Sequence, residues 1–308
     1  MGTIKELSCS DGKSVWYRVW NPDGKPADAV VLILHGMAEH SLRYQRFANF
    51  LNTKGLAVYA IDHRGHGETA VRNSETLGWF AEHNGWQRVV DDAYELTNQI
   101  LADNPRKPIF LLGHSMGSFL ARTLMVQHSD LYDGVIIMGT GASKGLLGKI
   151  GKMIARSHVK KHGSKFPDKL LDTMSFGSFN KGIPNPKTSF DWLSRDKEQV
   201  AKYVEDPLCG FVCTAKFFED LLDGVALAND RTLIQKLPPD LSVLIISGDK
   251  DPVGNSGKEV KKVYDLYRSA NMVDVTLHLV SGARHELLQE TNRISTKKFL
   301  YSWMKQRM

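Results

Sequence analysis

Five residues, Gly113-His114-Ser115-Met116-Gly117, stand between an apolar run, Pro108-Ile109-Phe110-Leu111-Leu112, and a helical pattern from Ser118 to Met125. A short buried strand that feeds straight into a helix leaves room only for a tight turn. The residue at its apex is forced into strained backbone angles, and glycine on either side removes the Cβ atoms that would crowd there. Such a turn lifts the Ser115 hydroxyl clear of the sheet and aims the Met116 amide, at the start of the helix, into the same space. A G-x-S-x-G turn in this setting is a nucleophile elbow. Ser115 is therefore a candidate nucleophile, against the plainer reading of a glycine-rich turn without chemistry.

The rest of the chain fits around such a turn. Ala29 to Leu34, Leu56 to Ile61, Gly134 to Gly139 and Ser242 to Ser247 are short, continuously apolar and rich in β-branched residues, as strands buried on both faces must be. Between them lie helical patterns, at Tyr44 to Lys54 and at Trp86 to Leu101, where apolar residues recur at three and four. Residues 3 to 20 alternate around the turn Ser10-Asp11-Gly12-Lys13 and read as an antiparallel pair at a sheet edge. A helix at Lys258 to Ser269, a strand at 273 to 280 and a helix at 290 to 305 close the chain. Strict alternation implies an α/β fold with a mainly parallel sheet and right-handed crossovers.

The alternation stops at about Ala142 and resumes after 238. The stretch 142 to 238 has scattered aromatics and no clear strand, so we expect a helical insertion over a core made of 1 to 141 and 239 to 308. Lys144 to Lys161 within it predicts a two-faced helix, with Leu146, Leu147, Ile150, Met153 and Ile154 on one side and Lys149, Lys152, Arg156 and Lys160 on the other. Its apolar side is expected to dock on the core; a transient contact with a membrane or micelle surface, or with an anionic substrate, is the alternative.

Charge and cysteine usage exclude several classes. Between Lys144 and Lys169 eight basic residues face one acid, a local charge of +7, so the remainder of a chain of net charge +6 sums to −1. Basicity this local calls for no nucleic-acid partner. The N-terminal residues lack the apolar core of a secretory signal, and no run is long enough to cross a bilayer. Cys9, Cys209 and Cys213 are odd in number and without C-x-x-C spacing, so we expect reduced thiols and a cytoplasmic protein.

A serine hydroxyl needs a base to remove its proton, and the base needs an orienting carboxylate. In a parallel sheet, residues just past the carboxyl ends of the strands converge on one edge. After the strand at 242 to 247 stand both Asp249 and Asp251. After the strand at 273 to 280 comes Ser281-Gly282-Ala283-Arg284-His285-Glu286, and of eleven histidines His285 alone lies in that last loop. The tetrahedral intermediate needs two amide donors. Met116 supplies one by construction of the elbow, and His35-Gly36-Met37 offers the Met37 amide as the second. His114, beside the nucleophile, is expected to point away and serve structure. Asp62-His63-x-x-His66 reads as a glycine-rich turn rather than a metal site, and Cys209-x-x-x-Cys213 as buried thiols at helical spacing.

Five motifs in order, His35-Gly36-Met37-Ala38-Glu39-His40-Ser41-x-Arg43-Tyr44, Asp62-His63-Arg64-Gly65-His66-Gly67, the elbow, Gly248-Asp249-Lys250-Asp251-Pro252 and Arg284-His285-Glu286, resemble the monoacylglycerol lipase and lysophospholipase branch of the α/β-hydrolases. The resemblance spans about residues 10 to 305. It implies an α/β-hydrolase fold with a helical lid, and a serine carboxylic-ester hydrolase acting on acyl esters without cofactor or metal. It selects Asp251 over Asp249, giving Ser115, Asp251 and His285 as triad in α/β-hydrolase chain order. It implies the Met37 and Met116 amides as oxyanion hole, and Glu39 and Arg43 near the alcohol part of the ester. Met37 and Ala38 are bulkier than the pair usual in that loop. A small-ester or aryl-ester esterase is the nearer alternative; a peptidase, an acyltransferase and a non-catalytic binding protein share the same fold.

Overall fold

In a computed structural model, which describes residues 2–308, the chain runs β1 (Thr3–Ser8), β2 (Ser14–Trp20), β3 (Ala29–Leu34), α1 (Gln45–Asn52), β4 (Leu56–Asp62), α2 (Gly67–Asn73), α3 (Gly85–Asp103), β5 (Ile109–His114), α4 (Met116–Gln127) and β6 (Gly134–Met138). Five helices follow, α5 (Gly145–His162), α6 (Lys169–Phe176), α7 (Lys197–Glu205), α8 (Ala215–Ala228) and α9 (Arg231–Ile234). Then come β7 (Val243–Gly248), α10 (Lys258–Ser269), β8 (Val275–Val280) and α11 (Arg293–Lys305). One sheet takes all eight strands in the order β1-β2-β4-β3-β5-β6-β7-β8. β1 and β2 are the antiparallel edge pair that the sequence predicts, and β3 to β8 run parallel.

Two cores follow from the period of two along each strand. Val30, Leu32 and Leu34 face one side with α3, α4, α8 and α10, while Ala29, Val31 and Ile33 face the other with α1 and α11. α2 is absent from the sequence reading because its seven residues, Gly-Glu-Thr-Ala-Val-Arg-Asn, carry no apolar stripe. Its first turn forms on a carboxylate instead: Asp62 Oδ2 accepts from the Glu68 amide (3.1 Å), and Thr69 bonds the Asp62 carbonyl (2.6 Å). Cys209 and Cys213 are buried as expected, but they lie in the irregular chain before α8 rather than on a helix.

Between β6 and β7 the described residues form no strand beyond one isolated bridge, Pro167 to Thr214. Here the expected docking of α5 holds for Ile154 but not for most of its apolar side. α5 lies on α8 through Gly148, Gly151 and Ala155, where a Cβ built on Gly151 would stand 3.3 Å from a Leu222 methyl. Lys152 pairs with Asp223, and Arg156 Nε reaches Glu219 at 2.7 Å. Leu146, Leu147 and Met153 are consequently turned outward, 72%, 77% and 63% exposed. Small residues let the helix backbones approach and the ion pairs fix the rotation, so Leu146, Leu147 and Met153 are left on the opposite face while Ile154 packs against the core. No helix among the described residues is long and apolar enough to cross a membrane.

Arg122, fully buried on α4, ties this stretch to the sheet. Its five N–H groups find Tyr267 Oη (3.0 Å), Thr140 Oγ1 (3.2 Å), Gly141 O (3.0 Å), Ala228 O (2.7 Å) and Asn229 Oδ1 (2.8 Å). None of these is a carboxylate; the C-terminal carbonyls of α8 supply the negative end of a helix dipole instead. Arg122→Met keeps volume but strands several acceptors, so we expect a loss of about 3 kcal/mol. Urea unfolding of the two proteins measures it.

Candidate active site

Ser115 sits between β5 and α4 at φ 53°, ψ −119°, a conformation costly for any residue with a Cβ. The close approach that forces it is visible at its neighbours. A Cβ on Gly113 would lie 2.1 Å from the Gly117 carbonyl oxygen, and one on Gly117 2.0 Å from that of Leu34. The Ser115 amide donates to Met138 O at 2.9 Å, fixing the apex to the end of β6.

Asp251, just beyond β7, is fully buried and accepts from His285 Nδ1 at 2.9 Å and from Ser247 Oγ at 3.0 Å. Burial alone would push its pKa up. The imidazole, the Val253 amide and the Ser247 hydroxyl outweigh that and hold it below the usual carboxylate value. With Nδ1 donating to Asp251, Nε2 is left as the basic nitrogen of His285. Asp249 is elsewhere, accepting from the Gly282 amide at 2.8 Å as a loop tie. Ser115 and His285 open onto one cavity of about 740 Å³.

The loop after β3 forms the other wall. His35 Nε2 accepts from the His63 amide (3.1 Å), so its proton is on Nδ1 and is donated to Gly36 O (2.7 Å). The Gly36 amide donates to Glu39 Oε1 at 2.7 Å. Among the described residues the Met37 and Met116 amides donate to no protein group. Glu39 is buried and lines the cavity, and it also accepts from Tyr44 Oη (2.9 Å), His114 Nδ1 (2.9 Å) and Arg43 Nη1 (2.7 Å). Arg43 lies behind that wall, bonded twice to Glu286 (2.5 and 2.7 Å).

His114 and Glu286 are the residues sequence reasoning missed. His114 does not point away. Its ring is 4.8 Å from that of His285, because the positive φ is confined to Ser115 and leaves the last β5 side chain beside the rim. Burial alone would lower its pKa, but the hydrogen bond and charge of Glu39 raise it; the same pairing, with Arg43, holds Glu39 well below its ordinary value despite burial. For metals, the one ligand-like group among the described residues is His40, Asp206 and Cys209, whose donor atoms lie within 4.8 Å of one another. His40 and Asp206 already bond each other at 2.9 Å, and burial pushes the Cys209 thiol up, away from the thiolate that a metal needs.

Compared with known proteins, residues 25–292 match the family described as serine aminopeptidase, S33, and the chain belongs to that family of α/β-hydrolases. It is 27% identical over 309 residues to the mouse protein named monoglyceride lipase, covering 99% of this chain and 91% of the relative. It is 28% identical over 296 residues to a monoacylglycerol lipase of Mycolicibacterium smegmatis, covering 95% and 93%. A solved structure of a thermostable carboxyl esterase from Bacillus coagulans, in complex with glycerol, is 26% identical and superposes with a TM-score of 0.89 over 99% of both chains.

Behind the loop lie three buried histidines, His35, His63 and His66, with ring centroids 4.2 Å (His35 to His63) and 5.3 Å (His35 to His66) apart. Among the described residues neither ring nitrogen of His63 has a partner, nor has Nε2 of His66. Burial pushes His35 down to about 4, His66 to about 3 and His63 well below its usual value. Unfolded, each takes a proton near pH 6.5. Stability from keeping them neutral is therefore complete above that pH and is lost as pH falls toward the depressed folded values. Three protons taken up on unfolding give a slope of about 4 kcal/mol per pH unit. His63→Phe, which loses no side-chain hydrogen bond, should reduce the slope by about 1.4 kcal/mol per unit. Urea melts between neutral and mildly acidic pH check this.

Proposed function

We propose that this carboxylic ester hydrolase acts through an acyl-enzyme on monoacylglycerols. Ser115 Oγ attacks the ester carbonyl while His285 Nε2 takes its proton; Asp251 holds the ring in the correct tautomer. The Met37 and Met116 amides, with the N-terminal end of α4 behind the second, stabilise the oxyanion. His285 then returns the proton to the departing glycerol oxygen, leaving the acyl group on Ser115. Water, deprotonated by the same imidazole, releases the fatty acid and restores the serine.

The observation that carries this reading is the wall of the cavity on which Ser115 and His285 open. Phe119, Leu171, Phe176, Phe179, Trp192, Phe218, Leu222 and Val225 line it, and an acetyl ester would leave most of about 740 Å³ unfilled. The names of the mouse and mycobacterial relatives support the glyceride assignment. Lysophospholipids fit less well, because among the described residues the one lysine on the wall, Lys144, is bonded to Glu259 at 2.8 Å and no arginine lines it to meet a phosphate. A pure binding protein would have no use for two undonated amides beside a strained serine.

Residues 142–238 are read as the lid. The outward side chains Leu146, Leu147 and Met153 would each gain about 1.5 kcal/mol on burial, and Lys149, Lys160 and Lys161 flank them. That combination, an apolar ridge with a basic rim, supports docking at an anionic lipid surface. Buried free thiols at Cys9, Cys209 and Cys213 support a cytoplasmic location.

Two outcomes test the reading. Nitrophenyl octanoate should be cleaved with higher kcat/KM than the acetate, and Ser115→Ala should lower turnover by about 10³-fold or more with the melting temperature unchanged; a strong preference for acetate rejects the lipid assignment. Co-sedimentation with phosphatidylglycerol vesicles should exceed that with phosphatidylcholine, and Leu147→Glu should reduce both.

A further inference from the structure

The His285 imidazole lies between two rings, His114 at 4.8 Å and Trp192 at 5.1 Å, the latter tilted by 42°. Trp192 comes from the stretch between β6 and β7, and its placement is built from both sides. The Glu286 amide donates to Leu193 O (2.8 Å), and the Arg284 guanidinium to the carbonyls of Asp191 (2.8 Å) and Ser194 (3.0 Å). The Ser194 hydroxyl donates to Gln289 O (3.1 Å), and Glu290 accepts from the Arg195 amide (3.1 Å) and Nε (2.9 Å). Residues on either side of Trp192 are thus bonded to residues on either side of His285. Behind the indole, Phe176 stacks at 6.1 Å and Phe179 meets it edge-on at 4.9 Å, and the Trp192 amide donates to Asn180 Oδ1 at 2.9 Å.

We infer that Trp192 is a positioning residue of the ester hydrolysis, its indole stabilising the imidazolium that His285 becomes when it takes the Ser115 proton. The inference rests on the catalytic reading above. A tryptophan ring attracts a cation within about 6 Å, more strongly than phenylalanine does. The neutral imidazole of the resting enzyme gains less, so the contact favours the transition state over the ground state.

A ring that merely kept water off the imidazole would act in the opposite sense. Exclusion of water disfavours imidazolium, so removing such a shield would raise the pH at which the base protonates. Removing a cation–π partner lowers it. The other charges near the ring stay in place when residue 192 changes: Asp251 from the β7 loop, Glu39 behind His114 on β5, Arg43 with Glu286, Arg284, Asp191, and Arg195 with Glu290.

The experiment is kcat/KM against pH on soluble nitrophenyl butyrate for the wild type, Trp192→Phe and Trp192→Leu, with fluorophosphonate labelling of each. We expect the acid limb of Trp192→Leu to move to lower pH by about half a unit. Its kcat should fall about threefold or more with little change in KM, and Trp192→Phe should shift less in the same direction. If the leucine variant does not fold, the phenylalanine variant decides alone. An acid limb that is unmoved or moves upward overturns the inference. Absence of labelling at Ser115 in the wild type overturns the catalytic reading instead, so the two failures are separable.

Discussion

The architecture of the site depends on one close approach, that of α4 to the carboxyl ends of β3 and β5. With carbonyl oxygens about 2 Å from where Cβ atoms would be at 113 and 117, the chain has no room for side chains there, and the strain is concentrated on Ser115. That single constraint raises the hydroxyl, starts a helix at Met116 and leaves its first amide free. The parallel sheet does the remainder, since the loops after β3, β7 and β8 emerge on the same edge and bring Met37, Asp251 and His285 to the serine.

Charge at this rim is organised in two layers. Toward the cavity stands one buried pair, Asp251 and His285. Behind it lies a four-membered group, His114, Glu39, Arg43 and Glu286, in which every acid meets a cation and every hydrogen bond is short. Isolated buried charges would be costly, whereas paired ones hold each other in place; among the described residues His114 Nε2 is the one buried side-chain polar atom of this group that lacks a partner. Glu39 joins the two layers, because the same oxygen that accepts from His114 Nδ1 also accepts from the Gly36 amide, and with it holds the turn that carries Met37. Glu39 and Arg43 therefore act first on the loop, and whatever touches the alcohol end of a substrate does so against an already braced wall.

Most of the sheet was legible in the sequence because strands buried on both faces must be apolar throughout, and β3, α10 and the elbow fall where their patterns place them. Asp251 could be separated from Asp249 only through a family resemblance, since the two differ in which loop partner each meets, a property of three dimensions. The orientation of α5 departs from its hydrophobic pattern for a physical reason. Its apolar stripe is strong, but what decides the packed face is Gly148, Gly151 and Ala155, which let two helices close on each other, and small residues carry little weight in a hydrophobic pattern. His114 stays beside the rim because, at the turn, the unusual backbone angles belong to Ser115 and not to its neighbours. Trp192 gives no local signal at all: its partner is ninety-three residues away, and only the hydrogen-bonded seam shows the pairing.

The central claim is that an acyl group passes through Ser115. The most direct measurement is rapid quenching of the enzyme during turnover of a long-chain monoacylglycerol, followed by mass spectrometry of the intact protein and its peptides. The account predicts a mass increase equal to the acyl group, carried by the peptide containing Ser115. Release of glycerol with no adduct at Ser115, or an adduct on another side chain, would contradict it.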